Sequence, residues 1–311
     1  MDHCVFIHTN HKQILGAIVA EHALRRFSDH ADRFDVRVLD INDFPFFAEY
    51  EGQPYLRGGV KRPWLNEDLQ SFTPLRFMPP EAMGYQGRSV VIDPDVFAVA
   101  DVWDLLTREM EDHAVMCRMR HGPEGFVRHC QATSVMLMDN AKLTDWKVEE
   151  RFRAMFRFEV DYRDWICLKL QEPGSIGHIE AEWNDFDKLT AATKMLHTTR
   201  RKTQPWKTGL PIDWRPADTF PLFPPIGWMN RARRKLFGEY GLLGNYKPHP
   251  DPNQERLFFG LLKECIEQGL VSEDMVKEQM AKNHVRHDAF EVLDRTPAPA
   301  PWPRAPMSLP G

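Results

Sequence analysis

The chain has no run approaching the ~18 apolar residues that a membrane-spanning helix needs. Five cysteines, Cys4, Cys117, Cys130, Cys167 and Cys265, are scattered through 311 residues, with no C-x-x-C among them. Such an odd, unclustered set argues against a disulfide framework or a structural zinc site, so free thiols in a reducing compartment are expected. The formal net charge is -5, which leaves no global basic field to recruit nucleic acid. The first apolar run, Cys4-Val5-Phe6-Ile7, is too short for the core of a secretory signal, and the expected location is cytoplasmic. No internal repeat is visible, and no residue stands out as an activated nucleophile. What remains is an ordinary globular composition, 42% hydrophobic, long enough for one large α/β domain and an appendage.

Val5 to Ile7 reads as a strand. Lys12 to Phe27 carries an apolar stripe at Ile14, Ala17, Ile18 and Leu24, the spacing of an amphipathic helix with Asn10 as its cap. Phe34 to Leu39 alternates through Val36 and Val38. Strand, helix and strand within forty residues predict a βαβ unit with parallel pairing, and hence an α/β fold. Ser89 to Ile92, bounded by Gly87 and by Asp93-Pro94-Asp95, predicts a buried strand that ends where Pro94 cannot donate to a ladder. Extended backbone through Pro94 sends both carboxylates to the same side. Two carboxylates at a strand's carboxyl end suit a hard divalent cation whose shell substrate phosphates complete, in the crevice where open α/β sheets bind ligands. Asp-Pro-Asp is equally a common turn composition. Val102 to Met110 is expected as helix, and Ala114 to Met119 and Thr133 to Leu137 as strands. The irregular, aromatic stretch Asp43 to Asp68 is expected to be a functional or mobile loop.

The apolar strand, the Asp-x-Asp and the following Val-Phe-Ala-Val-Ala-Asp-Val-Trp-Asp-Leu-Leu together resemble the signature of retaining glycosyltransferases of family 8 and their close relatives. The resemblance implies a single nucleotide-diphospho-sugar transferase domain (GT-A, Rossmann-like) with a mainly parallel mixed sheet over residues 1–212. A helical extension, 213–295, and a Pro/Ala-rich tail, 296–311, follow it. The implied activity is metal-dependent transfer of a hexose from a nucleotide-sugar, a UDP-sugar, with retention, to a glycan, lipid or protein acceptor. Asp93 and Asp95 would be ligands for Mn²⁺ or Mg²⁺. His197, ahead of Gln204-Pro205-Trp206, would be the third. Thr9, Asn10, His11 and Gln13 fall where the family contacts base and ribose. Arg76, Lys202 and Lys207 would face the diphosphate, and Ser134 and Asp139 the sugar. Asp164 would lie near the anomeric carbon as the catalytic candidate. Trp165 stands where the family has Gln, and Gln204 where it has Lys. Two alternatives therefore stay open: a relative that binds nucleotide-sugar without turnover, and a metal-dependent phosphohydrolase using the same carboxylates.

From Asp213 onward the composition shifts to a Pro- and Trp-containing run of linker type. Arg231 to Lys235 holds four basic residues in five positions. A solvated helix face is the expected reading, and peripheral contact with an anionic lipid surface is the alternative. Gln254 to Gly269 and Ser272 to His284 read as helices, the second capped by Ser272. Thr296 to Gly311 has no periodicity and is expected to be extended or disordered.

Overall fold

The structure, a computed structural model, describes residues 2–119, 130–216 and 223–297. Most of the Pro/Ala-rich tail, from residue 298, lies outside the described residues. Eleven strands and nine helices are described. The strands are β1 (His3–Thr9), β2 (Asp35–Asp40), β3 (Pro54–Arg57), β4 (Val60–Pro63), β5 (Arg88–Ile92), β6 (Val96–Ala98), β7 (Val115–Arg118), β8 (Ala132–Asp139), β9 (Ile176–His178), β10 (Asp185–Phe186) and β11 (Met195–His197). The helices are α1 (Ile14–Arg26), α2 (Pro79–Ala82), α3 (Trp103–Leu106), α4 (Val148–Phe156), α5 (Tyr162–Ile166), α6 (Pro224–Phe237), α7 (Pro252–Glu267), α8 (Glu273–Ala281) and α9 (Ala289–Arg295).

Six strands form the central sheet in the order β2-β1-β5-β8-β7-β9. β1 pairs in parallel with both β2 and β5, and β7 in parallel with β9; β8 alone runs against its two neighbours. This is the α/β architecture that the sequence pattern predicts, with the mainly parallel mixed sheet that the resemblance implies. Alternation along the strands supplies two core faces. Val5, Ile7, Val90 and Ile92 face α1 and α7, whereas Cys4, Phe6 and Val91 face an aromatic cluster that includes Phe47, Trp64 and Phe152.

The stretch Asp43–Asp68 is packed rather than mobile, because its aromatic side chains are buried in that second face. Trp64 is 3% exposed, and its ring centroid lies 4.9 Å from that of Phe152. Gly58 and Gly59, both in the left-handed region, turn the β3–β4 hairpin, and both amides donate to the Asp161 carboxylate at 2.8 and 2.7 Å. The helix expected over Val102–Met110 is a single turn, α3.

α1 begins four residues after Asn10, which does not cap it. The Asn10 amide instead donates to the Asp68 carbonyl and to Ser71 Oγ, while its Oδ1 accepts from the Lys12 amide. Within α1, Gly16 is required by close approach: a Cβ there would sit 2.6 Å from the Pro94 carbonyl oxygen. Gly16→Ala must therefore push the helix off the Asp93-Pro94-Asp95 turn. Overpacking of this kind costs about 1–3 kcal/mol, so the variant is expected to melt at lower temperature in a calorimetric scan. An unchanged melting point would show that the turn yields freely.

Three helices after residue 212, α7, α8 and α9, share the first core face. Leu257, Phe258, Phe259, Leu261 and Leu262 of α7 are buried with α1 and β6 residues. Trp206 stacks on Phe258, and His22 and Arg26 of α1 meet Glu264. Ser272 caps α8, as its sequence position predicts, by accepting from the Met275 amide.

The cysteines depart from the sequence expectation. Cys130 and Cys167 are disulfide-bonded, while Cys4, Cys117 and Cys265 are free and buried. The pair joins the approach to β8 to the end of α5, where Thr133 Oγ1 also donates to the Ile166 carbonyl. A separation of 37 residues carries no sequence signal for that contact. Burial pushes the Cys4 and Cys265 thiols up to about 12. The thiolate is the reactive form. Iodoacetamide is therefore expected to leave both unmodified in the native protein. After denaturation without reductant it should label three cysteines by mass, and all five only after reduction. Five labelled without reductant would break the pairing.

Candidate functional site

β5 is buried from Ser89 to Ile92 and stops at Asp93. The chain then turns over Pro94 into β6, which leaves the central sheet for a small second one ordered β10-β11-β6. There β11 pairs antiparallel with β6 in the register His197↔Val96, so a residue 102 positions downstream arrives beside Asp95. The Thr198 amide donates to the Asp95 carbonyl at 3.1 Å and fixes that register. Asp93, Asp95 and His197 each present a ligand atom within 4.8 Å of the others. His197 Nε2 lies 3.4 Å from Asp95 Oδ1.

The outer partners set up His197 for this role. Its Nδ1 sits 2.8 Å from Asn184 Oδ1 and 3.2 Å from Ser134 Oγ, while the Asn184 amide nitrogen donates to Ser134 Oγ and to the Ala132 carbonyl. That network orients Asn184 with its oxygen toward the ring, so Nδ1 carries the hydrogen and Nε2 offers a lone pair toward Asp95. A second partner holding the other ring nitrogen is the usual support of a metal-binding imidazole. Two carboxylates and an imidazole are donors that suit Mn²⁺.

Asp93 is held by one cation, Arg76, and one imidazole, His8. Arg76 reaches both its oxygens, with Nε 2.8 Å from Oδ1 and a second nitrogen on Oδ2, and also donates to Thr133 Oγ1. His8 Nε2 lies 2.9 Å from Oδ1 on the other side. Burial acts to raise the Asp93 pKa, but the Arg76 guanidinium and then His8 outweigh it and hold the carboxyl well below its ordinary range. Burial keeps His8 below the usual histidine value, and so neutral at neutral pH.

Asp93, Asp95, His197 and Arg76 line a cleft of about 110 Å³, together with Gln13, Gln70, Thr73, Ser134, Thr199, Arg201 and Gln204. Gln204 Nε2 donates to Asp95 Oδ2 at 3.0 Å. The Oε1 atoms of Gln13 and Gln204 are buried and meet no partner among the described residues, which leaves two acceptors for a ligand.

Of the residues singled out from sequence, the structure brings Asp93, Asp95, His197, Arg76, Ser134 and Gln13 into one cleft and places the others elsewhere. Thr9 is buried and bonds to its neighbour's carbonyl, Asn10 secures residues 68–71, and His11 pairs with Glu67 at 3.1 Å. Asp139 is corrected by strand direction. In the antiparallel pairing β5–β8 it lies opposite Arg88, at the far end of β5 from Asp93, and pairs with Lys142. Asp164 is also corrected. It points outward from α5 to Lys169 at 2.7 Å and is not a lining residue, because Trp165 takes the inward position against Phe77. Lys207 is fully buried on Asp213 at 2.6 Å, where desolvation lowers its pKa, and cannot reach the cleft. Lys202 is not a lining residue, whereas its neighbour Arg201 joins Arg76 as a cation that lines the cleft. His8, Asn184, Thr133 and Gln204 are site residues that the sequence reading did not assign.

Solved structures that the chain resembles in fold include glycosyltransferases by name. The galactosyltransferase LgtC in complex with donor and acceptor sugar analogs is 13% identical, over 65% of this chain and 89% of that one, with a TM-score of 0.48. The glycosyltransferase GlyE of Streptococcus pneumoniae TIGR4 is 13% identical over 86% of this chain and 64% of its own, with a TM-score of 0.47. Mouse xyloside xylosyltransferase 1 is 10% identical over 64% of this chain and 98% of its own, with a TM-score of 0.41. No family model matches the chain. No curated protein matches it.

Proposed function

We propose that the cleft binds a nucleotide-sugar, a UDP-hexose, through a divalent cation, and that the protein is a retaining hexosyltransferase of the GT-A type. The observation that carries this reading is the convergence of Asp93, Asp95 and His197 at the carboxyl end of β5. Those three side chains would hold Mn²⁺ or Mg²⁺. A bound ion supplies Lewis-acid charge that offsets the negative charge of a departing nucleoside diphosphate. The chain's own contribution is positioning and electrostatics. Arg201 adds a cation at the cleft wall, and Arg76 keeps Asp93 ionised and fixed in place. The acceptor atoms of Gln13 and Gln204 can receive hydroxyl or amide hydrogens from the ligand. No described residue is placed as a covalent nucleophile, which is compatible with attack by the acceptor hydroxyl on the face that the diphosphate leaves.

Isothermal titration with UDP, with and without Mn²⁺, followed by an assay of UDP release from a panel of UDP-hexoses, tests the proposal. Metal-dependent binding and UDP release are expected. Failure of UDP to bind in the presence of Mn²⁺ would remove it. One observation favours a second reading, a binding protein without turnover. Trp165 occupies the inward position of α5 and Asp164 faces solvent, so α5 brings no carboxylate to the cleft. Tight UDP binding with no hydrolysis or transfer from any hexose donor would select it. Release of inorganic phosphate from phosphoesters would instead point to a phosphohydrolase.

A further inference from the structure

Two arginines at the cleft stand without an acid of their own. Arg57, at the end of β3, lines a small recess together with Tyr55, Asp68, Gln70, Tyr162 and Arg215. Arg201 lines the cleft itself. Gln70 lines both, so the recess adjoins the cleft. The other guanidiniums on these walls are matched, Arg76 with Asp93 and Arg215 with Glu239. Arg57 instead lies over the Tyr162 ring, its guanidinium carbon 4.7 Å from the centroid, and Arg201 over Trp214 at 5.5 Å. Among the described residues no carboxylate lies at ion-pair distance from either.

The two cations act on each other. Desolvation, and after it the positive charge of Arg57, lower the Arg201 pKa. Asp68 attracts both arginines, but its Oδ1 already accepts from the Gln70 amide at 3.0 Å. Two like charges that share one acid leave a positive surplus, which a bound anion would balance. Guanidinium donors match the paired oxygens of a carboxylate or a phosphate. Position separates this anion from the diphosphate of a donor, because none of Asp93, Asp95 and His197 lines the recess. Its volume, about 10 Å³, admits one small group and no sugar ring, so a ring would stay in the cleft.

We propose that Arg57, assisted by Arg201, receives an anionic group of the acceptor, so that the sugar is transferred to a carboxylate- or phosphate-bearing sugar rather than to a neutral one. This rests on the transferase reading of the cleft. The anion is bound and undergoes no chemistry; Arg57 sets which acceptor enters.

Calorimetric titration with methyl glucuronide, glucose 6-phosphate and methyl glucoside, each with and without UDP and Mn²⁺, tests the assignment. An anionic sugar is expected to bind at least about tenfold more tightly than methyl glucoside, as one charge-assisted contact would supply. Which of the two leads tells carboxylate from phosphate. Arg57→Gln is expected to erase the preference while leaving the affinity for UDP with Mn²⁺ unchanged. Arg57→Lys keeps the charge and loses the fork, so a several-fold weaker preference is expected, and it carries the comparison if the glutamine variant does not fold. Equal affinity for charged and neutral sugars, or a preference undiminished in both variants, would overturn the proposal. So would a folded Arg57→Gln protein that loses UDP affinity, which would assign Arg57 to the donor. Failure of the parent protein to bind UDP removes the transferase reading, whereas UDP binding without an anion preference removes this inference alone.

Discussion

Asp95→Asn is expected to abolish metal-dependent binding of UDP while leaving the fold intact. Asp95 is half-buried, accepts from Gln204 at 3.0 Å and lies 3.4 Å from His197 Nε2. An asparagine fills the same space and removes only the charge that an ion requires. Losing even an outer-shell partner typically costs about 10–100-fold in metal affinity, so loss of a ligand should exceed that. Calorimetry with Mn²⁺ and UDP reads the effect, and unchanged Mn²⁺ affinity would remove Asp95 from the site. Asp93 is the wrong place for the same experiment. Arg76 and His8 both lean on its carboxylate, so Asp93→Asn leaves a guanidinium without its partner. Breaking such a pair from one side costs about 3–5 kcal/mol and confuses affinity with stability. Because folding depresses the Asp93 pKa, its stabilising contribution is present above the ordinary carboxylate range. It is lost as pH falls through the lowered folded value. The Asp95→Asn comparison is therefore best made near neutrality, where Asp93 stays ionised.

The second large effect concerns the helices after residue 212. A protein ending there is expected not to fold. It would lose five α7 residues, Leu257, Phe258, Phe259, Leu261 and Leu262, each at most 6% exposed, and would bare Trp206, which stacks on Phe258 with centroids 4.5 Å apart. At about 2 kcal/mol for each buried side chain the loss is on the order of 10 kcal/mol, comparable to the whole stability of an ordinary domain. It also strips Glu264 from His22 and Arg26, and removes Arg286, whose amide donates to the Trp206 carbonyl. Expression of residues 1–212 should give insoluble protein, or soluble protein with no cooperative thermal transition. A 1–212 fragment melting like the full chain would show that the two parts fold independently.

Short-range patterns were legible in the sequence. The alternation of β1 and β2, the apolar stripe of α1 and the breaker after β5 each follow from residues close together, and the parallel βαβ start follows from them. The histidine of the cleft could be placed by its resemblance to a motif, although its arrival there depends on the β6–β11 register. What failed was decided at longer range. A short apolar run does not reveal its direction, and the reversal of β8 separates Ser134 from Asp139 by the length of β5. Facing along α5 depends on what Trp165 packs against. Lys207 was drawn to Asp213 six residues on, a buried pairing that a loop composition does not announce. His8 continues the Cys4–Phe6 face of β1, where an imidazole in an apolar run reads as core until Asp93 is placed beside it. Asn184 had a local signal, its position directly after Trp183 and before β10, but its role required His197 to be in view.

The ladder that carries His197 is only two or three residues per strand. So short a patch has little to keep it shut against local opening. An ion gripped by Asp95 and His197 would rivet β11 to the turn that leads into β6, joining the ladder across its weakest edge. Deuterium uptake at residues 195–198 should accordingly slow when Mn²⁺ is added, which would make the ligand itself the strut that completes this part of the wall.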